Sequence, residues 1–456
     1  MAAQIELVPP IGSVTFGSDG IVLPNGNIVV RDEEASIPAT KAGAVHLFSP
    51  TGTLISTLRG ASANDQIGNW GIRVLDNGHF VVVSRYWDNG AAADAGAVTW
   101  ANGAAATTGT VNASNSILGT IAGDFIGSSR VLALANGHYV INCGRVDING
   151  VGDAGASTWV NGSGPATGTV SATNSLYGTT TMDRVAEDGA VLLANGHYVV
   201  FSQFWDNGAV VDAGANAWCN GNTGCSGPIS AANALIGTAG SPVSGVTPLS
   251  DGNYVVRSPD WDNGAMLDAG AATWASASAG LSGTVSVANS LVGPAAGDRT
   301  GRYVYALTQG GYLVGSPYWD NGALLDVGAV TWCGAGGKIG TVAMANSLVG
   351  ALADDQFGVS ALDPLPDGRA VIQSEYFDQP PATDSGATTL LPLGGLTGIV
   401  PASHSVLGSV TDEGAALYYG YDQSRGQLAV GHGPANRVTL LWLTPDERKL
   451  FRDSFE

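Results

Sequence analysis

The stretch Val131-Leu-Ala-Leu-Ala-Asn136-Gly-His-Tyr-Val-Ile-Asn-Cys143 decides the fold. An apolar run enters an Asn-Gly pair, and an alternating segment, His138-Tyr-Val-Ile141, leaves it. Asn-Gly between two such runs is a strong hairpin signal, because both residues tolerate the positive φ of a type I′ turn. The phrase recurs with drift, its copies beginning at Asn25, Asn77, Asn136, Asn195, Asp251, Gly310, Asp367 and Arg425. Successive starts differ by 52, 59, 59, 56, 59, 57 and 58 residues. A fixed period over the whole chain is one repeat architecture, whatever the chain length.

Each copy continues in the same way. A loop of the type Trp-Asp-Asn-Gly-x-x-x-Asp-Ala-Gly precedes a third strand such as Ala97-Val-Thr-Trp100. The segment Gly-Thr-Val-x-x-x-Asn-Ser-Leu-Val-Gly reads as a fourth strand, and a second loop, Ala-Gly-Asp-x-x-Gly, leads into the next copy. Four short strands joined by Gly-rich turns, without helical periodicity, are the signature of a propeller blade. The expectation is an all-β chain in which residues 1–447 form a single closed β-propeller of four-stranded blades, with a repeat of about 58 residues. Eight blades are expected, with seven the alternative if the degenerate last copy is a decoration; residues 448–456 are left as a C-terminal tail. The last copy offers strands near Ala416–Tyr419, Gln427–Val430 and Arg437–Leu443 but lacks a fourth. The N-terminal segment Gln4–Val8 is expected to supply it, closing the last blade and removing exposed edges.

Composition narrows the function. Against 18 Lys and Arg stand 38 Asp and Glu, a net charge of −20 that repels phosphate backbones and argues against nucleic-acid binding. No apolar run approaches the roughly 20 residues a membrane helix needs, so membrane insertion is not expected. The start, Met1-Ala-Ala-Gln4, has no basic segment and no apolar segment, so no signal peptide is visible in this chain. Cys219 and Cys225 bracket Asn-Gly-Asn-Thr-Gly, a spacing that fits a hairpin disulfide in an oxidising compartment and equally fits buried free thiols. Cys143 and Cys333 have no evident partners.

Asp355-Gln-Phe-Gly-Val-Ser-Ala-Leu362, followed by Ala370-Val-Ile-Gln-Ser374 and Asp384-Ser-Gly-Ala387, resembles the FG-GAP repeat of integrin-type propellers. Ala42-Gly-Ala-Val-His-Leu-Phe48 is similar to the third strand of the same family, and the inner copies resemble a bacterial variant of unassigned function. The resemblance covers about residues 12 to 445. It implies a ligand-binding face that carries both the loop between strands two and three and the loop between blades. That family often holds calcium in the turn between the first two strands, but turns as short as Asn77-Gly78, Asn195-Gly196 and Asp251-Gly252 leave no room for it. The end, Leu450-Phe-Arg-Asp-Ser-Phe-Glu456, resembles the short acidic tails of exported bacterial proteins.

Two residue patterns carry candidate chemistry. Paired acids recur in the Asp-Asn-Gly-x-x-x-Asp loop: Asp88 with Asp94, Asp206 with Asp212, Asp262 with Asp268, Asp320 with Asp326, and with drift Asp147 with Asp153 and Asp378 with Asp384. A third acid stands on the inter-repeat loop at Asp65, Asp124, Asp183, Asp298, Asp355 and Asp412. Carboxylates, Asn side chains and loop carbonyls could together serve calcium, the one candidate cofactor. The same residues equally form Asx-type turns, and that reading is favoured because every copy keeps them. Tryptophans recur thirteen apart, Trp87 with Trp100, Trp205 with Trp218, Trp261 with Trp274 and Trp319 with Trp332, while Trp159 continues the second series. The third-strand member is expected to pack between repeats; Trp87, Trp205, Trp261 and Trp319, at the strand exit, are the expected platforms for a sugar ring. Nearby Arg85, Gln203, Asp260 and Tyr318 differ from copy to copy, as positions tuned on a fixed frame would.

His79, His138 and His197 share one repeat position, and no zinc or nucleophile spacing is present. Near-identical acids in every copy argue against a glycosidase, which needs two carboxylates in different environments. The expectation is a non-catalytic, monomeric, secreted or surface-exposed bacterial module that binds a glycan or, second, a protein. The alternatives are a purely structural repeat module of a larger surface protein and a propeller glycosidase.

Overall fold

The computed structural model describes residues 4–238 and 242–442, so the tail expected at 448–456 lies outside the described residues. Its strands form eight small sheets, mostly of four or five strands, and the described helical structure is one 3-10 turn, Gly414–Ala416. The chain divides into two compact units. The first runs to Ala234, without Leu193–Asn195 and with Gly280–Ser282; the second comprises Leu193–Asn195, Leu235–Ala279 and the residues from Gly283 onward.

In the first unit the second repeat shows the pattern. Strands Ile72–Val74, Phe80–Ser84, Ala97–Ala101 and Ser116–Leu118 pair antiparallel in chain order. Phe80–Ser84 and Ala97–Ala101 are buried along their whole length, as strands covered on both faces must be. Val81, Val83 and Val98 of this repeat share one core cluster with Tyr139 and Ile141 of the third, so successive sheets bury each other's faces. The second unit repeats the arrangement: Val255 and Leu291 pack with Val304, Tyr312 and Val314 of the next repeat. A hydroxyl pair is enclosed in each core, Thr99 with Ser116 in the first unit and Thr273 with Ser290 in the second, both at 2.7 Å. Each hydroxyl satisfies the other, which removes the penalty of burying it alone.

The Gly-Thr-Val-x-x-x-Asn-Ser-Leu segment is not one strand. Its Gly-Thr half crosses to the preceding sheet and pairs parallel with the fourth strand there: Gly109–Thr110 with Leu54–Arg59, and Gly168–Thr169 with Ser116–Leu118. In the second unit Gly340–Thr341 likewise joins Leu291–Val292, and Gly398–Ile399 joins Leu348–Val349. The asparagine between the halves makes the switch, since Asn115 Nδ2 donates to the Thr110 carbonyl and Asn346 Nδ2 to that of Thr341, each at 2.9 Å. The Asn-Gly hairpins also depart from type I′. Gly78 takes φ +80° and its N–H donates to Leu75 O at 2.9 Å, while Asn77 keeps a negative φ. The turn therefore spans Leu75–Gly78 with a left-handed glycine last, the three-residue form. In the sixth copy Gly310 is that glycine, at φ +78°, so this copy begins one residue earlier than its drifted sequence suggests.

The eighth sheet has three described strands, Leu417–Asp422, Gln427–His432 and Arg437–Trp442. The expected N-terminal strand is not formed: Gln4–Val8 carries no ladder. Ile5 and Leu7 instead lie against Gly52 in the first repeat, and Pro9 and Pro10, which have no N–H to give a ladder, follow at once.

One glycine position requires its residue type. Gly96, in Asp-Ala-Gly, has φ +81°, and a Cβ there would stand 2.3 Å from Ile126 N on the inter-repeat loop. Gly43 and Gly155 face the same loop in their own repeats, at 2.2 Å. Gly96→Ala is expected to destabilise by about 2–4 kcal/mol through overlap and left-handed strain. Gly90→Ala, at φ +63° with open space around it, should cost only about 1 kcal/mol. Urea midpoints measure both, and equal losses would refute the close approach.

Candidate functional site

The inter-repeat loop and the loop after the second strand meet at a buried carboxylate. Asp124 Oδ2 accepts the N–H groups of Thr120 at 2.9 Å and Ile121 at 2.8 Å, and its Oδ1 accepts that of Asp147 at 3.1 Å. Asp147 Oδ1 in turn accepts the Asp153 N–H at 2.8 Å. The same chain runs through Asp65, Asp88 and Asp94 and through Asp183, Asp206 and Asp212 in the first unit. In the second unit it runs through Asp298, Asp320 and Asp326 and through Asp355, Asp378 and Asp384, while Asp262 accepts from the Asp268 N–H. The last acid of each chain is left-handed, with φ between 48° and 54°, a conformation Asp tolerates. These acids form a relay of hydrogen bonds through the loops instead of converging on one point. Among the described residues no group of three or more His, Cys, Asp and Glu side chains is placed to hold a metal ion.

Burial raises the carboxyl pKa of Asp65, Asp124, Asp183 and Asp355, and the backbone N–H bonds oppose it. Asp298 is pushed up to about 6. Its Oδ2 takes the Ala295 N–H at 2.7 Å, but the residue before is Pro294, which has no N–H to add. The seventh repeat corrects a sequence assignment. Glu413, not Asp412, fills the inter-repeat position, accepting from Ser409 at 2.7 Å and Val410 at 3.2 Å. Asp412 is the left-handed residue before it, at φ 62°. The longer Glu413 side chain also meets the buried His432 Nδ1, at 3.2 Å.

The tryptophan platforms need a second correction. Trp87, Trp205, Trp261 and Trp319 are 6, 3, 5 and 4% exposed, so their faces are closed to a sugar ring. Val146 and Phe377 take the same position in other repeats and are equally buried, which makes this a core site. The third-strand tryptophans do bridge repeats: Trp100 Nε1 donates to Gly162 O and Trp159 Nε1 to Gly221 O, both at 2.9 Å. The histidines belong to these staples, since His138 Nδ1 accepts the Gly162 N–H at 3.2 Å and its ring meets Trp159 edge-on. Cys143 accepts the Gly127 N–H at 2.9 Å, where Ser84 and Ser374 serve in other copies. Burial pushes its thiol up to about 12, so it is not a nucleophile. Cys219 and Cys225 form a disulfide, with Cα atoms 5.1 Å apart.

The residues that do reach the surface at this end stand one position earlier. Tyr86, Phe204 and Tyr318 are partly exposed and Tyr376 is exposed, each directly before a buried aromatic. They lie in the turn that follows the second strand, which ends at Ser84, Ser202, Ser316 and Ser374 in these copies. The left-handed loop position after each buried acid carries one of three side chains, Gln66, Phe125 and Arg184 in the first unit and Arg299 and Gln356 in the second.

The chain matches the model of a repeat of unknown function, DUF5650, six times, at residues 74–128, 133–187, 192–245, 248–302, 306–359 and 364–416. The FG-GAP likeness stays a resemblance beside this match. No curated protein matches the chain. Among solved structures it is similar to a protein of unknown function from Bacteroides caccae, at 11% identity over 60% of this chain and 80% of that one, with TM-score 0.25. It is also similar to prolyl oligopeptidase B from Galerina marginata, at 9% identity over 91% and 55%, with TM-score 0.31. A third is the extracellular domain of a protein described as a hybrid two component system from B. thetaiotaomicron, at 6% identity over 96% and 58%, with TM-score 0.20. The chain thus spans little more than half the length of the last two.

The buried acids and the loop acids differ in how many N–H groups each holds. Asp124→Asn is expected to destabilise by about 2–4 kcal/mol, because one amide oxygen cannot receive three backbone N–H groups. Asp88→Asn keeps an oxygen for its single partner and should cost less than about 1 kcal/mol in urea denaturation. The raised pKa of Asp298 sets a further expectation. Its stabilising share is complete below the unfolded carboxyl pKa and is lost as pH rises through about 6. Pro294→Ala restores a donor and should lower the Asp298 pKa in a carbon-13 carboxyl titration; an unchanged midpoint would exclude the missing N–H as the cause.

Proposed function

The chain belongs to the DUF5650 family, a repeat of unknown function, and from that footing we propose that it is a non-catalytic binding or display module of the bacterial surface or medium. One observation carries the reading: the frame repeats, while the side chains at the loop end of the second strand do not. Arg85-Tyr86, Gly144-Arg145, Gln203-Phe204, Pro259-Asp260, Pro317-Tyr318 and Glu375-Tyr376 occupy equivalent places on one hydrogen-bonded scaffold. Recurrent loops beside partly exposed residues that vary between copies are the arrangement of a scaffold that presents a surface.

Within this reading the eight sheets are the blades of one closed β-propeller, acting as a monomer. Its first ligand class is a glycan and its second a protein, with neither nucleic acid nor membrane insertion involved. Partly exposed Tyr and Phe side chains support the glycan, because they offer an apolar face to a sugar ring. The Cys219–Cys225 bond supports export, since disulfides persist in oxidising compartments. The absence of catalysis is supported by the recurrent carboxylates, which in several repeats accept backbone N–H groups in the same way.

A glycan array with millimolar calcium and again with a chelator tests the proposal, and binding is expected in both conditions. Binding lost on chelation would return Asp88, Asp94, Asp124, Asp206, Asp212, Asp262, Asp268, Asp298, Asp320, Asp326 and Asp355 to candidacy as calcium ligands. A blank array in both conditions would remove the glycan and leave a protein-binding or purely structural module.

A further inference from the structure

The symmetry of the repeats breaks at a recess of about 440 Å³ in the first unit, at the loop ends of the second and third repeats. Arg85, Tyr86, Phe125, Ser129, Arg145 and Glu187 line it. Ligand pockets begin at about this size, at several hundred Å³.

Two guanidinium groups dominate its charge. Arg85 lies 3.9 Å from the ring centre of Trp70 and 4.4 Å from that of Tyr86, and it donates to the Tyr86 hydroxyl. This stacking holds the side chain in one pose. Arg145 is exposed and stands where other copies carry Tyr86, Phe204 or Tyr318. Neither arginine has a carboxylate within ion-pair distance among the described residues, in a chain with 38 acids to 18 bases. Glu187, the acid of the recess, is engaged by Arg184 at 3.5 Å. Arg73 and Arg130 also stand outside the ion pairs of the described residues; what sets Arg85 and Arg145 apart is that both line one recess, where their charges can meet on a single anion.

The other walls narrow the anion. Tyr86 and Phe125 meet edge to face, with centroids 6.2 Å apart, and form an aromatic corner. Ser129 Oγ accepts the Gly144 N–H at 2.8 Å, so its own hydrogen is free to donate. Glu187 can accept from ligand hydroxyls, but it would repel a run of adjacent carboxylates. A single carboxylate on a ring bearing several hydroxyls satisfies all of these groups. We propose that the recess binds a uronic-acid residue of an acidic glycan, its ring against Tyr86 and Phe125 and its carboxylate on Arg145 and Arg85. The proposal rests on the glycan-binding reading and names the class of sugar.

Calorimetric titration of the full chain with a galacturonate oligomer, the matching neutral galactose oligomer and a glutamate peptide of equal charge tests it. The uronate oligomer is expected to bind; the neutral oligomer, which lacks the charge-assisted pair, and the glutamate peptide, whose adjacent carboxylates meet Glu187 and which has no ring for Tyr86, are each expected to bind at least about tenfold more weakly. Arg145→Gln should weaken uronate binding about tenfold with an unchanged melting temperature, since Arg145 is exposed. Arg425→Gln, the same charge change in the second unit, should leave binding as it was. Equal binding of the uronate and neutral oligomers, or no effect of Arg145→Gln, would overturn the recess while leaving a glycan-binding module standing. Binding of the glutamate peptide alone would overturn the sugar assignment, and no binding of any probe combined with a blank glycan array would remove the module reading too.

Discussion

A carboxylate with no ion pair among the described residues sits where Asp124 joins the end of one repeat to the loops of the next. Burial works against its charge, and three backbone N–H groups work for it. The outcome fixes geometry: two N–H groups fold the inter-repeat loop around the acid, and the third ties in the loop after the second strand. That second loop is then closed by its own acid onto a left-handed aspartate. Glycine must follow nearby, because the two loops pass within atomic contact at Gly96 and Gly155. Much of the loop sequence that looks like a cation cage is thus accounted for by the need to satisfy backbone donors away from water.

The opposite ends of the strands are joined by different means. Asn77 Nδ2 reaches the Gly162 carbonyl at 2.9 Å, and Trp100 reaches the same oxygen, so one backbone group in the third repeat holds two side chains of the second. In the six five-stranded sheets of the described residues the fourth strand is covered by two residues from the repeat that follows. One such repeat could not bury both its hydrophobic faces alone. Here acid relay, indole staple and shared strand act at different heights of the same contact, and the loop-end side chains can vary because none of the three uses them.

Much of this was legible in the sequence, to different depths. The period, the hairpins and the packing of Trp100 and Trp159 followed from spacing alone, because alternation and aromatic repetition report burial directly. The split of Gly-Thr from Asn-Ser-Leu did not, since a two-residue parallel strand is too short to show a period. The turn type was misjudged because Asn-Gly suits two turn forms, and the staple that selects between them lies in another repeat. Trp87 looked like a platform by its place at a strand exit; Val146 in the same column was the sign that the column is core. The exchange of Asp for Glu413 hid behind Asp412, a neighbouring acid with a different backbone conformation. Arg85 and Arg145 drew less notice than the acids, because residues that break a repeat look like drift until their positions in space are known.

The two-residue handover has a consequence for how such a chain changes length. A repeat that gives its Gly-Thr to the sheet before it and receives Gly-Thr from the copy after it is not a self-contained brick. Excising or copying a stretch of one full period, from any starting point, restores every pairing at the seam, because the incoming Gly-Thr is equivalent to the one removed. A cut that removes a Gly-Thr without the fourth strand it serves leaves one sheet short of its last strand. Length changes are therefore tolerated where they fall in loops between the paired segments, as copy spacings of 52 to 59 residues show, and not where they split a Gly-Thr from the fourth strand it covers.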